Sequence, residues 1–244
     1  MLFGNELLKL RTVRGPWLLL AAAQLVIVAG VSGLFAQGAD VSDPDTSQGA
    51  LAHVGLVSLF TLVLGITAVA GEHRHQTITD TYLSTPRRGR VVAAKLGAYA
   101  VIGAGFGVVS AAVATSAAAA WLAAKGGSLD LGDAEVWQTL AGGVGWDTAF
   151  AAIGVGLGAL VRNLAAAVAG ALAWIALVEG IVGQLLGGDA ARWLPFRAGS
   201  ALGRVTMNEG TPQLSQPGAA LLLTVYVIAF AALGLAAVTR RDVA

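Results

Sequence analysis

Cysteine is absent from the 244 residues, which excludes disulfides and thiolate metal sites and leaves the redox compartment open. Charge is scarce as well: 12% of residues are Asp, Glu, Lys or Arg, where soluble domains use about a quarter. No Gly-x-x-x-x-Gly-Lys-Ser/Thr phosphate loop occurs anywhere, so the chain carries no recognisable nucleotide-hydrolysing site of its own. Histidine is limited to His53, His73 and His75. None of these is paired with a nucleophile at depth, and His73 and His75 lack a nearby third ligand or paired carboxylate. Intramembrane hydrolysis and a resident metal are therefore not expected, and the chain is read as no enzyme, with no catalytic, cofactor or metal residue.

What is present is apolar. Hydrophobic residues make up 56% of the chain and mean hydropathy is +0.74, the composition of an integral membrane protein. A bilayer core of about 30 Å needs about 20 apolar residues per helix. Six windows meet that length, at about 17–35, 52–70, 96–121, 140–161, 164–186 and 219–238. The runs are continuous rather than alternating, which argues against a β-barrel. Only Arg162 and Asn163 separate the fourth window from the fifth, so the two must form a tight hairpin. The first window is longer than a signal-peptide core and lacks a small-x-small cleavage site, so it is read as a retained span. The fold class is all-α, a polytopic membrane protein of six transmembrane helices.

If six spans leave both termini on one side, that side holds Lys9, Arg11, Arg14, Arg74, Arg87, Arg88, Arg90, Lys95, Arg162, Arg240 and Arg241 of the 15 basic residues. The other side holds Lys125, Arg192, Arg197 and Arg204. That asymmetry places both termini in the cytoplasm of a cell membrane.

Three polar regions interrupt the apolar runs. The first, "MLFGNELLKLRTVRGPW", sets Leu2, Phe3, Leu7, Leu10 and Val13 against Glu6, Lys9, Arg11 and Arg14. This is the pattern of a helix over residues 1–15 lying in the headgroup layer, with Pro16 turning the chain into the membrane. Orientation of the first span is its other reading. The second, residues 71–95, is far longer than the two to eight residues of a bare connector. It predicts a short helix from about Glu72 to Leu83, a break at Thr85-Pro86, and the cluster Arg87, Arg88 and Arg90 before the chain re-enters at Lys95. The surplus implies either a docking surface or anchorage to anionic lipid. The third, residues 187–217, carries Trp193, Leu194, Pro195 and Phe196 and is long enough for short re-entrant or interfacial helices.

Asp147 and Glu179 are the charges placed well inside spans, and such groups are functional suspects. Asp147 lies 15 residues before Arg162 and Glu179 lies 16 after Asn163, so both stand about 22 to 24 Å above the hairpin turn. A shared proton, a cation site, and a structural role toward Thr148, Gln184, outer-loop amides or Arg192 are all open. Trp146 beside Asp147 suits an outer interface. Gly103 with Gly107 and Gly154 with Gly158 have small-xxx-small spacing and predict dense helix packing.

The insert between the second and third windows has the form Gly-Glu-x-x-x-x-Thr-Ile, then Leu-x-x-Pro-x-x-x-Arg, then Lys, through Gly71, Glu72, Thr77, Ile78, Leu83, Ser84, Pro86, Arg90 and Lys95. It resembles the permease subunits of type-two ATP-binding-cassette exporters. Glu6, Leu7, Lys9, Leu10 and Arg11 are similar to the amphipathic connecting helix of that family, and "RWLPFRAGSAL" to its outer loop. Family members frequently carry Gly where Gln76 stands. The motif resemblance covers about 40 residues, with the topology covering the rest.

The resemblance implies that Glu72, His73, Arg74, His75, Thr77, Ile78, Leu83, Pro86, Arg87, Arg88 and Arg90 form a coupling helix for a separate ATPase. It also implies two ATPase copies carrying ATP and magnesium, a second or sister permease, an outer gate at Trp193 to Phe196, and export of an amphipathic or hydrophobic small molecule, drug or peptide. Nucleic acid is not an expected partner.

Overall fold

A computed structural model describes residues 2–74, 88–185, 188–205 and 212–240. Among these the secondary structure is helical throughout, with no strand. Six helices are long and apolar enough to cross a membrane: Arg14–Ala36, Pro44–Arg74, Arg88–Ala124, Ala134–Val161, Leu164–Ile181 and Gln216–Arg240, hereafter spans one to six.

A separate helix, Leu2–Thr12, precedes span one. The chain breaks at Val13, whose backbone is extended, and not at Pro16 as the sequence suggests. Pro16 sits inside the first turn of span one, where its missing N–H would have had no helical partner.

The spans outrun the apolar windows because polar first and last turns continue them. Span two begins with Pro44, and the Asp43 side chain accepts a hydrogen bond from Asp45 N at 2.9 Å. A 3₁₀ turn, His53–Val57, then leads into Ser58–Arg74. Span three starts at Arg88, seven residues before the expected re-entry at Lys95. It ends at Gly126, which takes the left-handed conformation (φ +82°) and lets Gly127 N donate to Leu122 O at 2.8 Å. The Lys125 ammonium then binds Phe35 O, fastening the end of span three to the end of span one.

The hairpin between spans four and five is as short as the sequence requires. Arg162 ends span four in the left-handed conformation, and Asn163 Oδ1 caps span five by accepting from Ala166 N at 3.0 Å. Arg162 also donates to Ala237 O of span six. Span five is α-helical over Leu164–Ala173 and then π-helical over Trp174–Val182. A short α-helical piece, Gly183–Leu185, continues it, and two further short helices are described, Gly188–Ala191 and Pro195–Leu202.

Span four is the hub, packing most extensively on spans two, three and six. Glycine makes this possible on each face. A Cβ on Gly158 would stand 2.7 Å from Ile66 O of span two, one on Gly103 of span three 2.6 Å from Ala151 Cβ, and one on Gly234 of span six 2.7 Å from Gly156 O. By contrast span five presents most of its surface outward. Leu25, Val101, Val108, Leu177, Leu221 and Ile228 are likewise exposed on the spans, as expected of side chains meeting lipid.

Candidate functional site

The best-defined polar constellation lies where the N-terminal helix meets spans two and three. Span three buries Val91, Val92, Lys95, Ala98, Tyr99 and Ile102, one helical face, so its own periodicity carries Lys95 inward. The residue is 1% exposed. Its ammonium donates to Glu6 Oε2 at 2.9 Å and to Glu72 Oε1 at 2.8 Å. Lys9, half-exposed, donates to Glu6 Oε1 at 3.0 Å and to Glu72 Oε1 at 2.6 Å. Two cations and two carboxylates thus form an electroneutral junction of charge-assisted hydrogen bonds, joining three helices.

Desolvation opposes the charge on Lys9, but the hydrogen bond and charge of Glu72, and then those of Glu6, outweigh it and hold its ammonium above the ordinary lysine range. Removing one member of such a buried cluster leaves its partner unpaired, so the junction fixes the relative placement of its three helices more than it adds net stability.

The junction brackets the basic insert. Glu72 lies within the last turn of span two and Lys95 two turns from the start of span three, so the helix ends that flank residues 75–87 are clamped together. His75, Thr77, Ile78, Leu83, Pro86 and Arg87 lie outside the described residues. Of those that remain, His73 Nδ1 donates to Val69 O at 3.1 Å, closing its own helix. Arg74 and Arg90 are exposed, and Arg88 is half-buried. Phe3 and Leu7 are partly exposed along the N-terminal helix. Leu10 and Arg11 belong to the same helix, their side chains outside the described part.

The intramembrane acids part company. Glu179, placed by the π-helical turn of span five, accepts from Phe196 N (3.0 and 2.8 Å, one to each oxygen) and from Arg197 N at 3.0 Å. Leu194 at the N-cap of helix Pro195–Leu202 has no side-chain acceptor, and Pro195 fills its first position. Glu179 therefore supplies from another helix the acceptor that a capping Asp or Ser would give.

The rest of that short helix is held as firmly. Phe196 lies edge-on to Trp146 and Phe150, with ring centroids 5.0 and 6.2 Å apart. Tyr226 of span six donates to Trp193 O at 2.9 Å, and Gln216 to Leu202 O at 2.9 Å. The Trp193 ring itself is exposed, with the Arg192 guanidinium 5.6 Å from its centroid. Arg192 pairs with Asp189 at 3.5 Å rather than with either buried acid.

Asp147 is fully buried, and neither carboxyl oxygen has a hydrogen-bond partner among the described residues. Its Oδ2 occupies the space that a Cβ on Gly107 of span three would need. Its carbonyl accepts from Thr61 Oγ1 of span two at 2.9 Å, while Thr148 turns to Val144 O. Asp147 and Glu179 thus share no hydrogen bond. Trp146 is completely buried within the protein, flanked by Gly55, Gly199 and Gly203. Among the described residues no group of three His, Asp or Glu side chains is placed to hold a metal.

Sequence reasoning missed the pairing of Lys95 with Glu6 and Glu72. The available signal was the phase of Lys95, which shares a helical face with Val91, Val92 and Tyr99. Comparison of the chain with protein-family models and with curated protein sequences gives no match.

Proposed function

We propose that the chain is the membrane-spanning subunit of an ATP-driven exporter of the type-two ATP-binding-cassette class. Two copies, or one with a sister subunit, enclose a path in the cell membrane with both termini cytoplasmic. Two ATPase subunits carrying ATP and magnesium dock on residues 71–95.

The observation that carries the reading is the buried junction of Lys95, Glu6, Glu72 and Lys9. A force applied between Arg74 and Arg88 is delivered through it to spans two and three and the N-terminal helix together, as a coupling segment requires. The N-terminal helix lies along the inner headgroup layer, and helix Pro195–Leu202, held by Glu179, serves as the outer gate. The cargo is amphipathic or hydrophobic, in keeping with apolar walls. Affinity purification of the tagged chain from gently solubilised membranes is expected to recover a phosphate-loop ATPase whose turnover rises on reconstitution with the chain. Recovery of the chain alone, with no stimulation by any candidate ATPase, contradicts the proposal.

A second reading, an ion-coupled carrier, draws on the unpartnered carboxyl of Asp147. Uptake into vesicles that follows a proton gradient without nucleotide, and fails in Asp147→Asn, would select it over the exporter. A non-transporting membrane scaffold or immunity subunit that only recruits a partner is distinguished by unchanged substrate flux when the gene is deleted.

A further inference from the structure

Spans two, four, five and six line a half-open cavity of about 460 Å³, within the range of small-molecule sites. It runs along span five from Gly170 to Glu179, about 12 Å of helix, and Pro195 closes it at the Glu179 end. Its wall is apolar apart from that end. Four aromatic rings face it, those of Phe150, Trp174, Tyr226 and Phe230, and Glu179 is the one charged residue among those that line it. No lysine or arginine contributes to the wall; the charge of Arg197, whose backbone N–H Glu179 accepts, acts on the carboxylate from outside it.

Charge and shape together select the occupant. Aromatic faces are negative and attract cations, more strongly where water is excluded. Glu179 at the same end adds a carboxylate to that field, held by Phe196 N, Arg197 N and the Trp174 side chain and partly offset by the charge of Arg197, and with no cation in the wall itself an anion gains nothing there. A neutral apolar molecule would gain burial alone. From this we infer that the cavity binds a lipophilic cation, its apolar body between Leu62, Ile175 and Phe230 and its positive centre near Glu179. Binding is a property of this chain by itself; naming such cations as the exported class rests on the exporter reading.

The test uses the purified full-length chain in phosphatidylcholine nanodiscs without any ATPase. Binding of radiolabelled tetraphenylphosphonium is measured against its shape-matched anion, tetraphenylborate. Saturable binding of the cation, not displaced by the anion, is expected. Glu179→Gln should weaken it about tenfold or more, the scale of a desolvated charge contact. Because that substitution also loosens the cap of helix Pro195–Leu202, the second variant is Ala171→Phe, which fills the cavity two turns away. It should abolish binding while the gel-filtration profile and thermal midpoint stay those of the parent. No saturable cation binding, equal binding of tetraphenylborate, or unchanged binding in Ala171→Phe overturns the inference. Saturable, Ala171→Phe-sensitive binding by a chain that recruits no ATPase would instead remove the exporter reading and leave the site.

Discussion

Replacing Lys95 with Met removes the one buried cation of the junction and leaves an apolar chain of similar length in its place. Glu6 Oε2 and Glu72 Oε1 then lose donors at 2.9 and 2.8 Å. Breaking a fully buried pair costs about 3–5 kcal/mol. Here Lys9 still reaches both carboxylates, at 3.0 and 2.6 Å, although its side chain is 46% exposed and water screens part of its charge. A cost of about 2–3 kcal/mol follows, which in a chain of this size lowers the thermal midpoint by roughly 5–10 °C. Lys9→Met is the internal control, because a half-exposed partner contributes only about 0–1 kcal/mol. Thermal unfolding of both variants in detergent, followed by tryptophan fluorescence, measures the difference. A double-mutant cycle with Glu6→Gln should return a coupling of about 1–3 kcal/mol with Lys95. A Lys95→Met midpoint within about 2 °C of the parent, or equal to that of Lys9→Met, would refute the argument that the junction is buried and cooperative.

The remaining predictions concern packing, capping and pH. Glu179→Gln should cost about 1–3 kcal/mol by weakening the acceptor shared by Phe196 and Arg197 N–H, and trypsin should then cut faster at Arg192 and Arg197. Gly158→Val sets a side chain against Ile66 O and should abolish stable expression, whereas Gly105→Val, with open space around it, should be neutral; fluorescence-detected gel filtration separates the two. The raised ammonium of Lys9 makes its contribution fully present below its ordinary value of 10.5 and lost as pH climbs through the higher folded value. The thermal midpoint of the parent relative to Lys9→Met should therefore be flat between about pH 6 and 9 and narrow only on the alkaline side of the lysine range.

How far the sequence went can be read from particular residues. The six spans were legible because each is a continuous apolar run of bilayer length, and the hairpin at Arg162 and Asn163 because two residues leave no room for anything else. Their ends were not, since Pro44 to Leu51 begins from the Asp43 cap and Arg88 to Lys95 opens on basic residues, neither being apolar in composition. Trp146 reads as interfacial by residue type, yet it is buried in a slot bordered by Gly55 on one side and by Gly199 and Gly203, from a distant part of the chain, on the other. Counting puts Asp147 and Glu179 at one height, but height does not choose a partner. Glu179 found its own across the loop in Phe196 and Arg197, and Asp147 faces a glycine. Glu6 and Lys95 are 89 residues apart, and only tertiary structure brings them together.

The central claim is that the insert between spans two and three is an inward-facing surface on which an ATPase docks. The chain contains no cysteine, so Ser84→Cys introduces a single reporter within it. Labelling with a membrane-impermeant maleimide should be strong in inside-out vesicles, absent from the outside of intact cells, and suppressed when the ATPase is bound. Labelling from outside, or inside labelling that no ATPase reduces, contradicts the account.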